Sequence, residues 1–507
     1  MNEVTDIVVV GAGNAALCAA IRAAEKGSRV MVLEISSEEE KGGNTAYTHG
    51  SIRFAYKNGS QVRTLLSEMT DLEFEMTEFG TYTKDQFFDD LCRMSNYRTD
   101  YDLASIMTKK SYETVQWLTE HHVKWIPIYG RQAYKINGKF VFWGGMVMEA
   151  VGGGKGLVEF LHKEAKRLGV TIHYNTAAVD LVTANRTIKG IIVRSNGKER
   201  IIDCQAVILA SGGFHANIEM RTKYLGAGWD TVHTRGCKYN VGDGLRMAIS
   251  LGARTTGNWS GAHAVCGDRY LPDYKEGFQK LSFPFGIMVN KNGQRFMDEG
   301  ADFRNYIYAK VGREILKQPD QCAWQVYDAK TKPFLREEYN GRHVTKVTAN
   351  TLEELAEKIE GIDVKNFLRE IETYNAAVDR NVPFNPNQLD RKKTTGLPIP
   401  KSNWANPLDE GPYEAYEVTC GITFTYGGLK INKRAQVIHN DWTPIDGLYA
   451  AGEIVGGLYY DNYPGGAGLT SGAVFGKIAG EQASLYSSQQ KNRVENGINT
   501  VLRGGYS

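Results

Sequence analysis

Asp6-Ile-Val-Val-Val10 runs without a break into Gly11-Ala-Gly13-Asn14-Ala15-Ala16, and Arg29-Val-Met-Val-Leu33 then leads to Glu34. The first run is β-branched and apolar on both faces, as a strand buried inside a parallel sheet must be. Leu17, Ala20, Ile21 and Ala24 recur at helical spacing, and Lys26-Gly27 ends that helix before the second apolar strand. The order is strand, glycine turn, helix, strand, acid. Gly11 permits the tight turn, Gly13 lets backbone approach a pyrophosphate, and small Ala16 allows the helix to pack close to the strand. The helix start at Asn14 and Ala15 offers free N–H groups and partial positive charge to an anion. Glu34, 23 residues after Gly11, is placed to bond ribose hydroxyls. This stretch predicts an α/β chain with a Rossmann-type dinucleotide site.

Lys41-Gly42-Gly43-Asn44-Thr45 follows shortly after the acid. A second glycine pair there suits a flavin running onward through the protein, so FAD is expected rather than NAD. No second GxGxxG occurs, which leaves the electron acceptor open among oxygen, a quinone and a separate oxidoreductase. Glycine, at 55 of 507 residues, exceeds the usual ~7%. The pairs fall at strand-to-helix junctions, where backbone presses close to a ligand. Sixty Lys+Arg against 58 Asp+Glu leave a net charge of +2, too balanced for a nucleic-acid binder. Seven scattered cysteines without a CxxC give no metal-site pattern and fit free thiols in a reducing cytosol. No apolar run approaches the ~18 residues of a membrane span. The expectation is a cytoplasmic protein without a membrane span.

The remaining glycine clusters come in a fixed order. Ala210-Ser-Gly212-Gly-Phe214 follows the strand Ala206–Leu209, and Asn240-Val-Gly-Asp243-Gly244 opens a helix. Val289-Asn-Lys-Asn-Gly-Gln-Arg-Phe-Met-Asp-Glu299 comes next, then Thr425-Tyr-Gly-Gly-Leu429 and Gly447-Leu-Tyr-Ala-Ala-Gly-Glu453. Gly465-Gly-Ala-Gly468-Leu469-Thr-Ser-Gly472 runs into an alanine-rich helix. In this order they resemble the flavoprotein subunit of the fumarate reductase and succinate dehydrogenase superfamily, across essentially the whole chain. Ala15–Ala20, His263-Ala-Val265, Gly421–Tyr426 and the tyrosine at 463 look most like the tricarballylate dehydrogenase group. The resemblance implies FAD with its adenine end near Glu34 and Ala178 and its ring near Thr45, Asp243, Glu453 and Leu469. It also implies non-covalent attachment, since the Ser-His-Thr pattern is absent from 44–50, with His49 the residue to check.

The domain reading is an FAD-binding part over 1–280, an inserted capping and substrate domain over 281–418, and a return to the FAD domain over 419–507. The insertion is argued from Gly447–Ala451, a short buried strand that needs the N-terminal sheet as its partner. Within the cap, Thr351 and Glu354 make a capping box, and 364–378 is an amphipathic helix.

The superfamily's segment Asn-Arg-x-Gly-Gly, which puts an arginine beside the flavin, reads Asn462-Tyr463-Pro464-Gly465-Gly466 here, and a family histidine is replaced by Thr423. Loss of both cationic groups argues against fumarate or succinate. A Tyr-Pro-Gly segment is similar to that of 3-ketosteroid dehydrogenases. A phenol at Tyr463 and a backbone N–H at Gly468 can hold the oxyanion that forms when a proton leaves the carbon alpha to a carbonyl. The expected chemistry is desaturation of a Cα–Cβ bond in a small carboxylic or cyclic oxo-acid, with hydride passing to flavin. The alternatives are the reverse, enoate-reducing direction and a flavin electron-transfer module. By resemblance, Arg304 is the expected carboxylate clamp and Glu299 a relay. His263 is expected to face the substrate, and Tyr239, Tyr306 and Tyr426 are further acid or base candidates.

Overall fold

A computed structural model of the chain describes residues 3–274, 278–341 and 344–504, with side chains described as far as residue 492. The two apolar runs around the glycine turn form the buried strands Ile7–Val10 and Val30–Leu33, paired in parallel with Ile7 opposite Val30. The parallel core of the main sheet runs Thr171–His173, Val30–Leu33, Ile7–Val10, Ala206–Leu209, Pro444–Ala450. An antiparallel meander, Thr176–Ala184, Thr187–Ser195 and Lys198–Asp203, extends it, joined where Thr187 pairs with Asp446. The fold is α/β, as the sequence predicts. The strand Pro444–Ala450 pairs with Ala206–Leu209 across more than 230 residues of intervening chain, and Leu448, Tyr449 and Ala450 are buried.

The helix Asn14–Glu25 packs on the long C-terminal helix Ala467–Gly504. Gly472, Gly476 and Gly480, four residues apart, make the close approach possible. A Cβ on Gly476 would stand 2.4 Å from Ala15 O, and one on Gly480 2.1 Å from Ala19 O. Both helices begin at the C-terminal edge of the sheet, so their N-termini open on the same side. Asn14 Nδ2 bonds the Leu469 carbonyl at 2.8 Å and ties the two starts together.

A second sheet carries the strands His233–Thr234, Ala262–Asp268, Ile287–Val289, Cys322–Tyr327, Lys346–Ala349 and Tyr413–Thr425. The expected cut at 418/419 falls inside its long strand Tyr413–Thr425, and the cut at 280/281 falls between two of its strands. A division that keeps both sheets whole runs from about residue 233 to 425. The helices Leu352–Lys358 and Val364–Ala377 pack together under this sheet. Thr351 Oγ1 caps the first by accepting from Glu354 N–H at 3.1 Å, but the Glu354 carboxylate accepts from Asn350 N–H rather than closing the box. All seven cysteines are buried and unpaired. Among the described residues no helix is long and apolar enough to cross a membrane.

Candidate active site

The N-termini of the two packed helices, the glycine turns and the underside of the second sheet surround one cavity of about 2050 Å³, its open mouth included. Gly11, Gly13, Asn14, Ala15, Glu34, Gly43, Asn44, Thr45, Ala178, Ala210, Gly212, Asp243, Glu453, Gly468 and Leu469 all line it. At the far end Glu34 is held by two backbone donors, Ala12 N–H and Ser36 N–H, both at 2.9 Å. Burial pushes its carboxyl up against those bonds, so a further donor such as a ribose hydroxyl would favour the ionised form.

The phosphate cradle fits a dinucleotide. Gly11 has φ +102°, and a Cβ there would stand 2.6 Å from Ala210 O. Gly13 faces Gly42 O and Thr45 Oγ1, which a Cβ would meet at 3.3 and 3.4 Å. The N-cap residues of the two helices, Gly13 and Gly242, carry no side chain; Thr45 Oγ1 accepts from Asn14 N–H at 3.0 Å, and the N–H groups that follow in each first turn face the cavity side where a ligand would sit. Asn44 and Glu453 brace the loops around the middle of the cavity. Glu453 accepts from Asn44 Nδ2 at 3.1 Å, Asn240 Nδ2 at 3.2 Å and Thr425 N–H at 3.0 Å. Asn44 Oδ1 accepts from Cys237 N–H at 2.9 Å.

Beyond the cradle an aromatic box closes the cavity. Tyr463 is buried and its hydroxyl bonds that of Tyr308 at 2.7 Å. The His263 ring stacks on Phe424 at 5.1 Å and meets Tyr308 and Tyr463 edge-on at 4.8 and 4.9 Å. Tyr426 and Tyr459 complete the box around Phe424. A Cβ on Gly468 would lie 3.7 Å from the Tyr463 ring, so the first turn of the last helix stands beside the phenol. Burial pushes the Tyr463 phenol up, and that of Tyr308 well above the ordinary value, so both keep their protons. Burial and Arg235 push His263 well down, which leaves a neutral imidazole. It therefore offers a hydrogen bond to a substrate and not a positive charge. Both its ring nitrogens, Thr423 Oγ1, Tyr426 Oη and Tyr459 Oη are buried without a partner among the described residues. All four residues line the cavity, and a bound ligand would meet those atoms.

Four guanidinium groups also line the cavity: Arg131, Arg235, Arg304 and Arg336. Arg131 pairs with Glu149, and Arg336 with Glu338 at 2.5 Å. Arg304, at the start of the helix Arg304–Leu316, donates to the Arg131 carbonyl, and Arg235 donates to the Tyr47 carbonyl at 2.6 Å. Neither Arg235 nor Arg304 has a carboxylate within ion-pair distance among the described residues, and burial pushes both pKa values down, with Arg336 adding to the effect on Arg304.

Two expected residues lie elsewhere. Glu299 is fully buried outside the cavity, paired with Arg295 at 2.6 Å and accepting from Met288 N–H at 2.8 Å. Glu299 thus stands in an internal ion pair apart from the residues that line the cavity. Tyr306 turns away from the cavity and accepts from Arg53 at 3.1 Å. Tyr239 stands at the cavity mouth, donating to Glu40 at 2.9 Å, and Tyr426 is inside. His49 lines the cavity with its Nε2 3.1 Å from Glu338 Oε1. Arg235, Arg336, Arg131 and Tyr308 escaped the sequence reading because no motif surrounds them.

Residues 6–469 match a family described as the FAD binding domain. The chain belongs to that family. This FAD binding domain protein falls within the fumarate reductase and succinate dehydrogenase flavoprotein superfamily, with FAD as its cofactor. It is similar to the NADH:acrylate oxidoreductase of Vibrio harveyi, 31% identical over 96% of this chain and 51% of that protein, so it spans about half the length of that relative. It is similar to a 3-oxosteroid 1-dehydrogenase of Mycolicibacterium smegmatis, 29% identical over 65% of this chain and 62% of that one. The open conformation of a flavocytochrome c3 fumarate reductase superposes with a TM-score of 0.73 at 25% identity, over 96% of this chain and 79% of that one.

Proposed function

We propose that the chain desaturates the Cα–Cβ bond beside a carbonyl in a small carboxylic or cyclic oxo-acid. FAD, when bound, supplies the hydride acceptor. The observation that carries this reading is the bonded phenol pair Tyr463–Tyr308 in one cavity with two guanidinium groups that lack carboxylate partners among the described residues. Arg304 and Arg235 bind the substrate carboxylate, for which a planar fork is the matching donor. Tyr463 Oη, its proton retained by burial, and the Gly468 N–H donate to the carbonyl oxygen as the Cα proton passes to the free ring nitrogen of the neutral His263 imidazole. Tyr308 holds the Tyr463 hydroxyl in place, and the aromatic box keeps water from the oxygen. Glu34, Ala178 and the Gly11–Gly13 turn take the adenosine and pyrophosphate, non-covalently, with His49 left in its bond to Glu338.

Anaerobic addition of tricarballylate or 4-oxocyclohexanecarboxylate to the yellow protein tests the direction, because a saturated substrate bleaches the flavin. Tyr463→Phe should lower the bleaching rate by about a hundredfold with FAD still bound, and an unchanged rate removes Tyr463 from the chemistry. The reverse reading, an enoate reductase, draws support from the similarity to an acrylate oxidoreductase and from phenols that hold their protons, ready to protonate Cα. Its mark is reoxidation of the reduced flavin by an unsaturated acid and no bleaching by the saturated one.

A further inference from the structure

Arg53 has no exposed surface, yet it lines no part of the cavity. Its Nε donates to the Gly465 carbonyl at 2.7 Å, and its Nη1 donates to Tyr82 Oη at 3.0 Å and Tyr306 Oη at 3.1 Å. Its Cζ lies 5.3 and 4.9 Å from the centres of those two rings. The carboxylate nearest to it, Asp90, is 4.0 Å away and is engaged by Tyr82 Oη at 2.6 Å. Nη2 has no partner among the described residues. Burial opposes the charge, but Tyr306, Tyr82 and Asp90 outweigh it, so the guanidinium stays ionised. A buried cation with a donor left over is costly to keep, by several kcal/mol. An apolar side chain would fill the same space more cheaply, so the charge and the fork have a use.

That use is visible in what the fork grips. Gly465 is two residues beyond Tyr463, and its carbonyl is held by the Arg53 side chain. On its far side Gly465 N–H bonds the Asn305 carbonyl at 2.8 Å, and Asn462 Nδ2 bonds the Tyr306 carbonyl. Gly466, at φ +82°, lies so close to Arg53 that a Cβ would stand 3.0 Å from its backbone nitrogen. The backbone of Arg53 serves the same loop: its N–H donates to Gly466 O at 3.3 Å, and its carbonyl accepts from Thr470 Oγ1. Substitution of the side chain leaves these backbone bonds in place and removes the grip on Gly465 together with the bonds to Tyr82 and Tyr306.

We propose that Arg53 is a positioning residue for Tyr463: by pinning the Gly465 carbonyl it fixes the Tyr463–Gly466 turn and so the aim of the phenol. This rests on the reading of Tyr463 given above. The test is a double-mutant cycle with Arg53→Lys and Tyr463→Phe on FAD-loaded protein, following bleaching by the cyclic acid 4-oxocyclohexanecarboxylate. Lysine keeps the charge but cannot make the forked contact. Arg53→Lys should lower kcat by about tenfold, the cost of a misplaced group, with KM within about twofold. On the Tyr463→Phe background the same change should cost less than about twofold, because the phenol it aims is gone. Equal losses on both backgrounds overturn the inference while leaving the role of Tyr463 intact. An unaltered rate in Tyr463→Phe alone overturns the role of Tyr463 and this inference with it. A second measurement needs no substrate: in a crystal structure of the Arg53→Lys protein the Tyr463–Tyr308 hydroxyl contact should open, and its retention overturns the proposal.

Discussion

A family motif singled out both Tyr463 and Glu299, and the structure puts the first in the cavity wall and the second outside it. The sequence supplies the neighbours of a residue along the chain but not the partner that occupies its side chain. For Glu299 that partner is Arg295, four residues earlier, with Lys401 Nζ at 4.0 Å. Burial opposes the Glu299 charge, yet Arg295 and Lys401 hold its pKa below the usual value. Glu299→Gln leaves two buried cations without their counter-charge, so it should cost stability by about 3–5 kcal/mol. Urea unfolding reads that loss, and kcat in the folded fraction should hold steady. The opposite pattern is expected at Arg304, which lines the cavity without a carboxylate of its own. Arg304→Ala should raise KM by about 10- to 100-fold, the worth of a charge-assisted bond, with thermal stability little altered. Steady-state kinetics against a melting curve separates the two residues.

The helix Asn14–Glu25 was readable as an element, since the glycine turn and the apolar spacing agree there. Its packing partner was read only as alanine-rich, although Gly472, Gly476 and Gly480 announce a close-packed face by their spacing. Gly476→Val drives a side chain into the Ala15 carbonyl. It should destabilise the protein by about 1–3 kcal/mol or more, as overpacked cores do, and weaken FAD retention because Asn14 and Leu469 are parted. Absorbance of the bound flavin after gel filtration measures this. The helix Gly153–Arg167 covers the nucleotide turn through buried His162, whose Nε2 lies 3.3 Å from Ala12 O and whose Nδ1 lies 3.0 Å from Tyr174 Oη. Burial pushes this imidazole down to about 4 from 6.5. The unfolded chain therefore takes up the proton first as the medium is acidified. Stability from this group is complete above pH about 6.5 and is lost as the pH falls toward about 4. Melting temperatures at pH 7 and pH 5 should differ, and His162→Gln should narrow the difference.

In the molecule as a whole, the sequence carried the α/β class, the cofactor and the need for a central strand from the C-terminal region. Local patterns were sufficient there: each motif joins a strand to a glycine turn and a helix. The second sheet was not legible in the same way. Its strands come from either side of the expected cap boundaries, and Tyr413–Thr425, buried along nearly all its length, has no alternation to mark where one unit stops. The arginines on the cavity wall come from four separate segments, and only the fold brings Arg131, Arg235, Arg304 and Arg336 together.

The position of Pro444–Ala450 inside the main sheet has a consequence for biosynthesis. While the ribosome is still making the middle of the polypeptide, the Ala206–Leu209 edge has no neighbour on that flank, and such unpaired edges invite aggregation. The nucleotide half of the nascent chain can close only after Pro444–Ala450 has been made. Truncation ahead of residue 444 should therefore yield insoluble material rather than a smaller flavoprotein, and refolding from denaturant should be slow, limited by this late and distant pairing.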